Sequence, residues 1–262
     1  MSLFKKLAAA TLTMAMAFSL AACGGGEEAE APAEDAATGE KYVIATDTTF
    51  APFEFQDESG EYVGIDVELL AAIAEDQGFE YELSPLGFNA ALQAVQAGQA
   101  DAIIAGCSIT DERKEMIDFS EPYFDSGVVM GIAADNEEIK SYEDLAGKQV
   151  AVKINTEGQK FAESIKDQYG FTTVTFDDSS AMYMEVETGN SAACFEDYPV
   201  MGYSISQGVP LKMVTDKEQG SSYGFGVAKD QNAELLEMFN TGLANLIENG
   251  KYQEILDKYI QE

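Results

Sequence analysis

Apolar positions recur at helical spacing over residues 66–76 (DVELLAAIAED), and the run stops at Gly78. Short β-rich runs at 42–45 and 81–83 flank it. The alternation continues with a helix over 88–97, ending at Gly98, a buried-type strand at 102–105 and a short helix over 111–117. A strand follows at 127–133. The pattern then restarts with helices at 142–145, 156–169, 181–188 and 199–206, and with strands at 149–154, 172–176, 192–195 and 222–228. A long amphipathic stretch over 233–260, broken at Asn249-Gly250, ends the series. Strands alternating with helices predict an α/β protein.

A helix leading into Gly98-Gln99-Ala100-Asp101-Ala102 is echoed by one leading into Gly189-Asn190-Ser191-Ala192-Ala193. The strands after them end at Ala105-Gly106 and Glu196-Asp197, and two further strands end near Asp47 and Lys153. Open α/β sheets bind ligands outside the carboxyl ends of their strands. Two lobes would bring these four ends to one cleft.

The N-terminus has a different pattern. Lys5 and Lys6 precede an apolar, Ala-rich run over 7–22 that is too short for a comfortable membrane span. It ends Leu20-Ala21-Ala22-Cys23, followed by three glycines. Residues 1–22 match a bacterial lipoprotein signal, with Cys23 lipidated as the mature N-terminus. A plain signal peptide with a chance cysteine is the other reading. Residues 23–40 are acidic and lack large apolar side chains, which predicts a flexible linker reaching about 23 Å. The expected site of action is the outer face of the cytoplasmic membrane, tethered rather than spanning.

The 262 residues carry 15 Lys+Arg against 47 Asp+Glu, for a formal net charge of −32, and contain no His. Such a surface excludes nucleic-acid partners, because phosphates need a basic face. Without His there is no Ser-His-Asp or Cys-His catalysis and no His-ligated metal. Three cysteines are too few for a four-cysteine zinc site, and the acidic runs lack calcium-loop spacing. No metal or cofactor is expected.

Arg113 is the one arginine in the chain. It follows Ser108-Ile109-Thr110-Asp111, just after a strand end, where its planar fork can grip a carboxylate bidentately. A surface role in the Asp-Glu-Arg-Lys-Glu run is the alternative. Phe50, Phe53 and Phe55 cluster after Asp47, and Phe88 opens a helix; they are either core plugs or ligand platforms. Glu196 and Asp197 either accept an ammonium group or, with Pro199 following, cap a helix. Cys107 and Cys194 occupy echoed strand ends. A bridge between them would lock the cleft, so free thiols are expected.

These residues carry a family resemblance. Phe50-Ala51-Pro52-Phe53-Glu54-Phe55 is followed by Gly64-Ile65-Asp66-Val67-Glu68-Leu69. After them come Asp101-Ala102-Ile103-Ile104-Ala105-Gly106-Cys107-Ser108-Ile109-Thr110, then Asp111-Glu112-Arg113-Lys114 and Asp118-Phe119-Ser120-Glu121-Pro122-Tyr123. In this order they resemble the polar amino-acid-binding proteins of bacterial ABC importers, across essentially all of residues 41–260. The resemblance implies a two-lobed periplasmic-binding-protein-like (type II) fold with a two-strand hinge. Lobe 1 would comprise 41–132 and 227–262, and lobe 2 would comprise 133–226. The hinge would lie near 127–133 and 222–228.

The resemblance also implies roles. Arg113 would bind the α-carboxylate, assisted by Ser108 and the backbone at Ala105 and Gly106. Asp197 would take the α-ammonium. Phe50 and Phe88 would sandwich the side chain, and Asp47, Lys153, Thr156 and Glu157 would complete the pocket. Lys153 with Asp47 resembles a glutamine-type pocket, whereas Glu157 and Glu196 would tolerate a cationic side chain. The expected ligand is glutamine or another uncharged polar amino acid, with lysine- or arginine-type ligands second. The expected partners are ABC permease subunits and, through the lipid, the membrane; a monomer is expected. A few proteins of similar sequence are dehydratases of cyclic carboxylic acids. The anchor, the missing His and the complete zwitterion set argue for a binding protein and against an enzyme.

Overall fold

The computed structural model describes residues 41–260. The signal, the linker and Cys23 lie outside the described residues. In chain order the elements are β1 (Tyr42–Thr46), β2 (Thr49–Phe50), β3 (Glu54–Gln56), β4 (Tyr62–Val63), α1 (Ile65–Gln77), β5 (Tyr81–Pro85), α2 (Phe88–Gln96) and β6 (Ala102–Ile103). Next come β7 (Ile117–Phe119), β8 (Phe124–Ala133), β9 (Gln149–Lys153), α3 (Glu157–Tyr169), β10 (Thr172–Phe176), α4 (Ser179–Glu187) and β11 (Ala193–Asp197). The last are α5 (Tyr198–Ser206), β12 (Leu211–Met213), β13 (Glu218–Tyr223), β14 (Gly226–Ala228), α6 (Ala233–Glu248) and α7 (Lys251–Tyr259).

Two sheets organise the body. The first has the order β5-β1-β6-β14-β7, and the second β10-β9-β11-β8-β12 with β13 also paired to β8. Helices cover both faces of each sheet, so alternate strand residues enter different cores. Ile44 packs with Leu69, Leu70, Phe225 and Phe239 on one face, while Ala45 packs with Phe88, Leu92 and Val95 on the other. In the second sheet Val150, Val152 and Phe195 face Phe161, and Ala151 and Cys194 face Met182 and Met201.

The chain crosses between the sheets twice, from β7 into β8 and from β13 into β14. The crossings bond to each other: Ser120 N–H donates to Phe225 O at 2.8 Å, and Tyr123 N–H to Tyr223 O at 2.9 Å. A paired two-strand crossing bends more readily than either packed sheet shears.

Several expectations change. β8 runs in the second sheet along its whole length, so residues 124–132 sit there rather than in the first lobe. The strand expected at 222–228 is two strands in different sheets, because Gly224-Phe225 forms the crossing. The helix expected at 111–117 is one 3-10 turn, Arg113–Glu115, followed by β7. Tyr142–Leu145 is likewise 3-10, closed by a capping box between Ser141 and Asp144. Cys107, in the loop after β6, and Cys194, on β11, are buried free thiols, as expected.

Candidate functional site

Asp47 leaves the end of β1. Its Oδ1 accepts N–H bonds from Thr48 at 2.6 Å and Phe88 at 3.1 Å, which fixes the start of α2. Its Oδ2 accepts from Lys153 Nζ, at the end of β9 on the other sheet. Burial pushes the Lys153 ammonium down, but the Asp47 and Glu196 charges and the Asp47 hydrogen bond outweigh it and hold the group above its ordinary pKa. The same ammonium lies 5.0 Å from the Phe50 ring centroid.

Glu196 and Asp197 end β11. Glu196 Oε2 accepts from Ser179 Oγ at 2.9 Å and from Tyr183 OH at 3.3 Å, while Oε1 accepts from Asp197 N–H at 3.0 Å. Burial raises the Glu196 carboxyl, with Lys153 the main opposing influence. Asp197 stands at the N-cap of α5, yet its side chain makes no cap bond. It accepts from Tyr223 OH instead. Burial first, then the Glu196 charge, push Asp197 up to about 7.

Arg113 is held by its backbone, where its N–H donates to Thr110 Oγ1 at 3.2 Å. Its side chain turns inward, and the residue is only 8% exposed. Nη1 donates to Ser108 O at 2.9 Å, Nη2 to Asn155 O at 2.7 Å, and the guanidinium carbon lies 5.1 Å from the Phe88 centroid. Asn155 reaches this position with φ 61°, a left-handed conformation that Asn tolerates. Its amide also donates to Asn89 Oδ1 on α2. Together with Ser179 N–H to Thr49 Oγ1 at 3.3 Å and the Lys160–Glu112 pair at 3.6 Å, these contacts close the cleft.

The closed cleft leaves a residual cavity of about 10 Å³ between the lobes. Of the expected residues, Phe50, Phe88, Gly106, Ser108, Arg113, Lys153, Thr156, Glu157 and Asp197 line it, and Asp47 sits behind Lys153. Thr156 caps α3: its Oγ1 accepts from Gln159 N–H at 3.2 Å and donates to Lys153 O at 2.7 Å.

Ala105 is not among the residues that line the cavity, and its side chain packs in the core with Phe88 and Leu92. Gly106 N–H is not available to a ligand carboxylate, because it donates to Asp66 Oδ2 at 2.8 Å. Gly106 is nevertheless obligatory there, since at its φ of 51° a Cβ would fall 2.2 Å from Phe50 Cε1.

Glu196 joins the lining, and Asn155, Asn89 and Ser179 join the closure. Asn155 was detectable as the left-handed-tolerant residue just before a Thr N-cap. Asn89 and Ser179 carry no such signal.

Two α/β lobes joined by a double crossing, with opposite charges presented from each side of a closed cleft, define a protein that captures a small charged ligand between lobes. The chain belongs to the bacterial extracellular solute-binding proteins, family 3, whose sequence model matches residues 42–262. A structure described as the second substrate binding domain of an amino acid ABC transporter from Streptococcus pneumoniae is 51% identical, covers 84% of this chain and 100% of its own, and superposes with a TM-score of 0.60. The second substrate binding domain of GlnP from Lactococcus lactis, solved in an open conformation, is 41% identical with a TM-score of 0.61, covering 86% and 97%. An ancestral arginine-binding protein bound to arginine is 35% identical with a TM-score of 0.79, covering 84% and 98%, and an ancestral arginine-binding protein bound to glutamine gives the same identity and TM-score. The chain is an amino-acid-binding protein of ABC transport, and its relatives are binding proteins rather than enzymes. Among the described residues no helix is long and apolar enough to cross a membrane.

Proposed function

We propose that this protein is tethered by a lipid on Cys23 at the outer face of the cytoplasmic membrane, captures glutamine or a similar uncharged polar amino acid by closing its lobes, and delivers it as a monomer to ABC permease subunits. Arg113, with Ser108, takes the α-carboxylate, exchanging its bond to Asn155 O for one to the ligand. Asp197 takes the α-ammonium. Phe50 and Phe88 flank the side chain, and Thr156 and Glu157 complete the wall from the second lobe.

The observation that carries the glutamine reading is the buried Lys153 ammonium, held between Asp47 and Glu196. An amide side chain can accept from Lys153 and donate to a neighbouring carboxylate. An arginine or lysine side chain would bring a second cation against the first in a cavity without bulk water, which is costly. Glu157 and Glu196 favour the second reading, a basic amino acid, and the arginine-bound relative supports it.

Isothermal titration of ligand-stripped protein with each of the twenty amino acids tests the choice. Glutamine is expected to bind tightest; tightest binding of arginine would overturn it.

A further inference from the structure

Behind the cavity lie two carboxyl groups that the capture of a zwitterion does not use. Glu54 on β3 and Asp66 at the start of α1 are both fully buried. Asp66 Oδ2 is occupied, accepting from Gly106 N–H at 2.8 Å and from Tyr123 OH at 2.8 Å. Asp66 Oδ1 and both oxygens of Glu54 have no hydrogen-bond partner among the described residues if both groups are ionised, although the two side chains lie within hydrogen-bonding reach of each other. Buried polar atoms are rarely left unpaired, and two adjoining buried carboxylates cannot both stay charged.

We propose that Glu54 and Asp66 share one proton, carried by Glu54 and donated to Asp66 Oδ1, and that this pair is the brace fixing the Gly106 turn of the ligand cavity to the Tyr123 hinge crossing. The proton satisfies the Asp66 oxygen and one Glu54 oxygen at once. It leaves a single negative charge, already anchored by two donors. Through Asp66 the brace touches one residue that lines the cavity and one that must move when the lobes open, so Glu54 acts as a positioning residue and not as a ligand contact.

The charge surroundings agree. Burial, then the charges of Asp66 and Asp47, hold Glu54 well above its ordinary range against a smaller pull from Lys153. Burial raises Asp66 to about 6 in spite of its bonds from Gly106 and Tyr123. The Tyr123 hydroxyl, the Cys107 thiol and the more distant Tyr252 hydroxyl also face Asp66, and burial raises all three, so none supplies a competing charge at neutral pH. Raised acids stabilise the fold while protonated. This contribution is complete below the ordinary carboxylate range and is lost as pH rises through the folded value.

Three readouts on the full-length protein and its Glu54→Gln variant test the brace. Gln keeps the volume and donates to Asp66 Oδ1 at every pH. Infrared spectra of the parent at neutral pH should show a protonated-carboxyl C=O band that Glu54→Gln lacks. The Gly106 amide resonance should titrate with the pair in the parent and stay fixed in the variant. With L-glutamine as the probe, the parent should lose about tenfold more affinity than Glu54→Gln at alkaline pH, the size of one unit of linked pKa; the ligand's own amine titrates equally in both. Two ionised carboxylates in the parent spectrum, or identical pH profiles in the two proteins, would overturn the proposal. The affinity readout rests on the glutamine reading, but the infrared and amide readouts do not. Absence of glutamine binding by the parent would therefore refute that reading alone, and the spectra would still decide the brace. If Glu54→Gln fails to fold, the Gly106 amide titration of the parent decides, because Asp197, near 7, also contributes a protonated-carboxyl band.

Discussion

Lys153 and Asp47 form an ion pair across the cleft in which each side chain is only 1% exposed. One partner comes from the second sheet and the other from the first, so the pair exists only while the lobes are together. A buried pair adds little over a well-packed apolar replacement, but deleting one partner strands the other. Lys153→Met should therefore destabilise the closed protein by roughly 3–5 kcal/mol. The double variant Lys153→Met/Asp47→Leu should recover much of that loss. Denaturant midpoints check both; a single variant as stable as the parent would contradict the burial argument.

The Asp197 carboxyl gives a pH signature with opposite signs in the free and bound states. Its value near 7 in the free protein means that folding retains a proton the unfolded chain sheds above about 4. Stability from this group is therefore present at acidic pH and declines as pH rises to about 7. A ligand ammonium favours the ionised form, so binding expels the proton and weakens about tenfold per pH unit below 7. Calorimetry between pH 5.5 and 8, in buffers of differing ionisation enthalpy, reads the proton release. Asp197→Asn should bind weakly and show a flat profile.

Arg113 bridges Ser108 O and Asn155 O, one on each side of the cleft. Arg113→Ala should cost roughly 2–5 kcal/mol of ligand affinity, the range for truncating one member of a buried charge pair. Arg113→Lys should recover only part of it, because an ammonium cannot present a planar fork. Titration of the three proteins with one amino acid gives the order.

Gly158, one residue into α3, permits the helix to start against β11. A Cβ there would meet Phe195 O at 2.6 Å. Gly158→Ala should lower stability by about 1–3 kcal/mol through a backbone shift. It should also weaken ligand binding, because β11 carries Glu196 and Asp197 one and two residues beyond Phe195. Melting temperature and titration separate the two effects.

The long elements were legible because their apolar spacing continues over several turns: α1, α2, α3 and α6 fall within one or two residues of expectation. The two- and three-residue strands β2, β4 and β7 have no period to read. Their pairing is imposed by neighbours. Arg113 was visible because it is the only arginine, and Asp197 because it ends a strand just before a Pro-led helix. The commitment of Gly106 N–H to Asp66 was not visible: forty residues separate them, and only the fold brings the α1 start beneath the β6 end. The echoed strand ends placed Asp47 and Lys153 at one cleft, but nothing local pairs two residues 106 apart, and the resemblance was needed to set them side by side.

An amino acid held between Arg113 and Asp197 should stabilise the native protein. Thermal melts of ligand-stripped protein with single amino acids, run beside Arg113→Ala and Asp197→Asn, test it most directly. A ligand at a hundredfold excess over its Kd adds about 2.7 kcal/mol to native stability. A clear upward shift is expected with one or a few amino acids, glutamine first, and it should disappear in both variants. No shift with any of the twenty, or a shift that survives both substitutions, would contradict it.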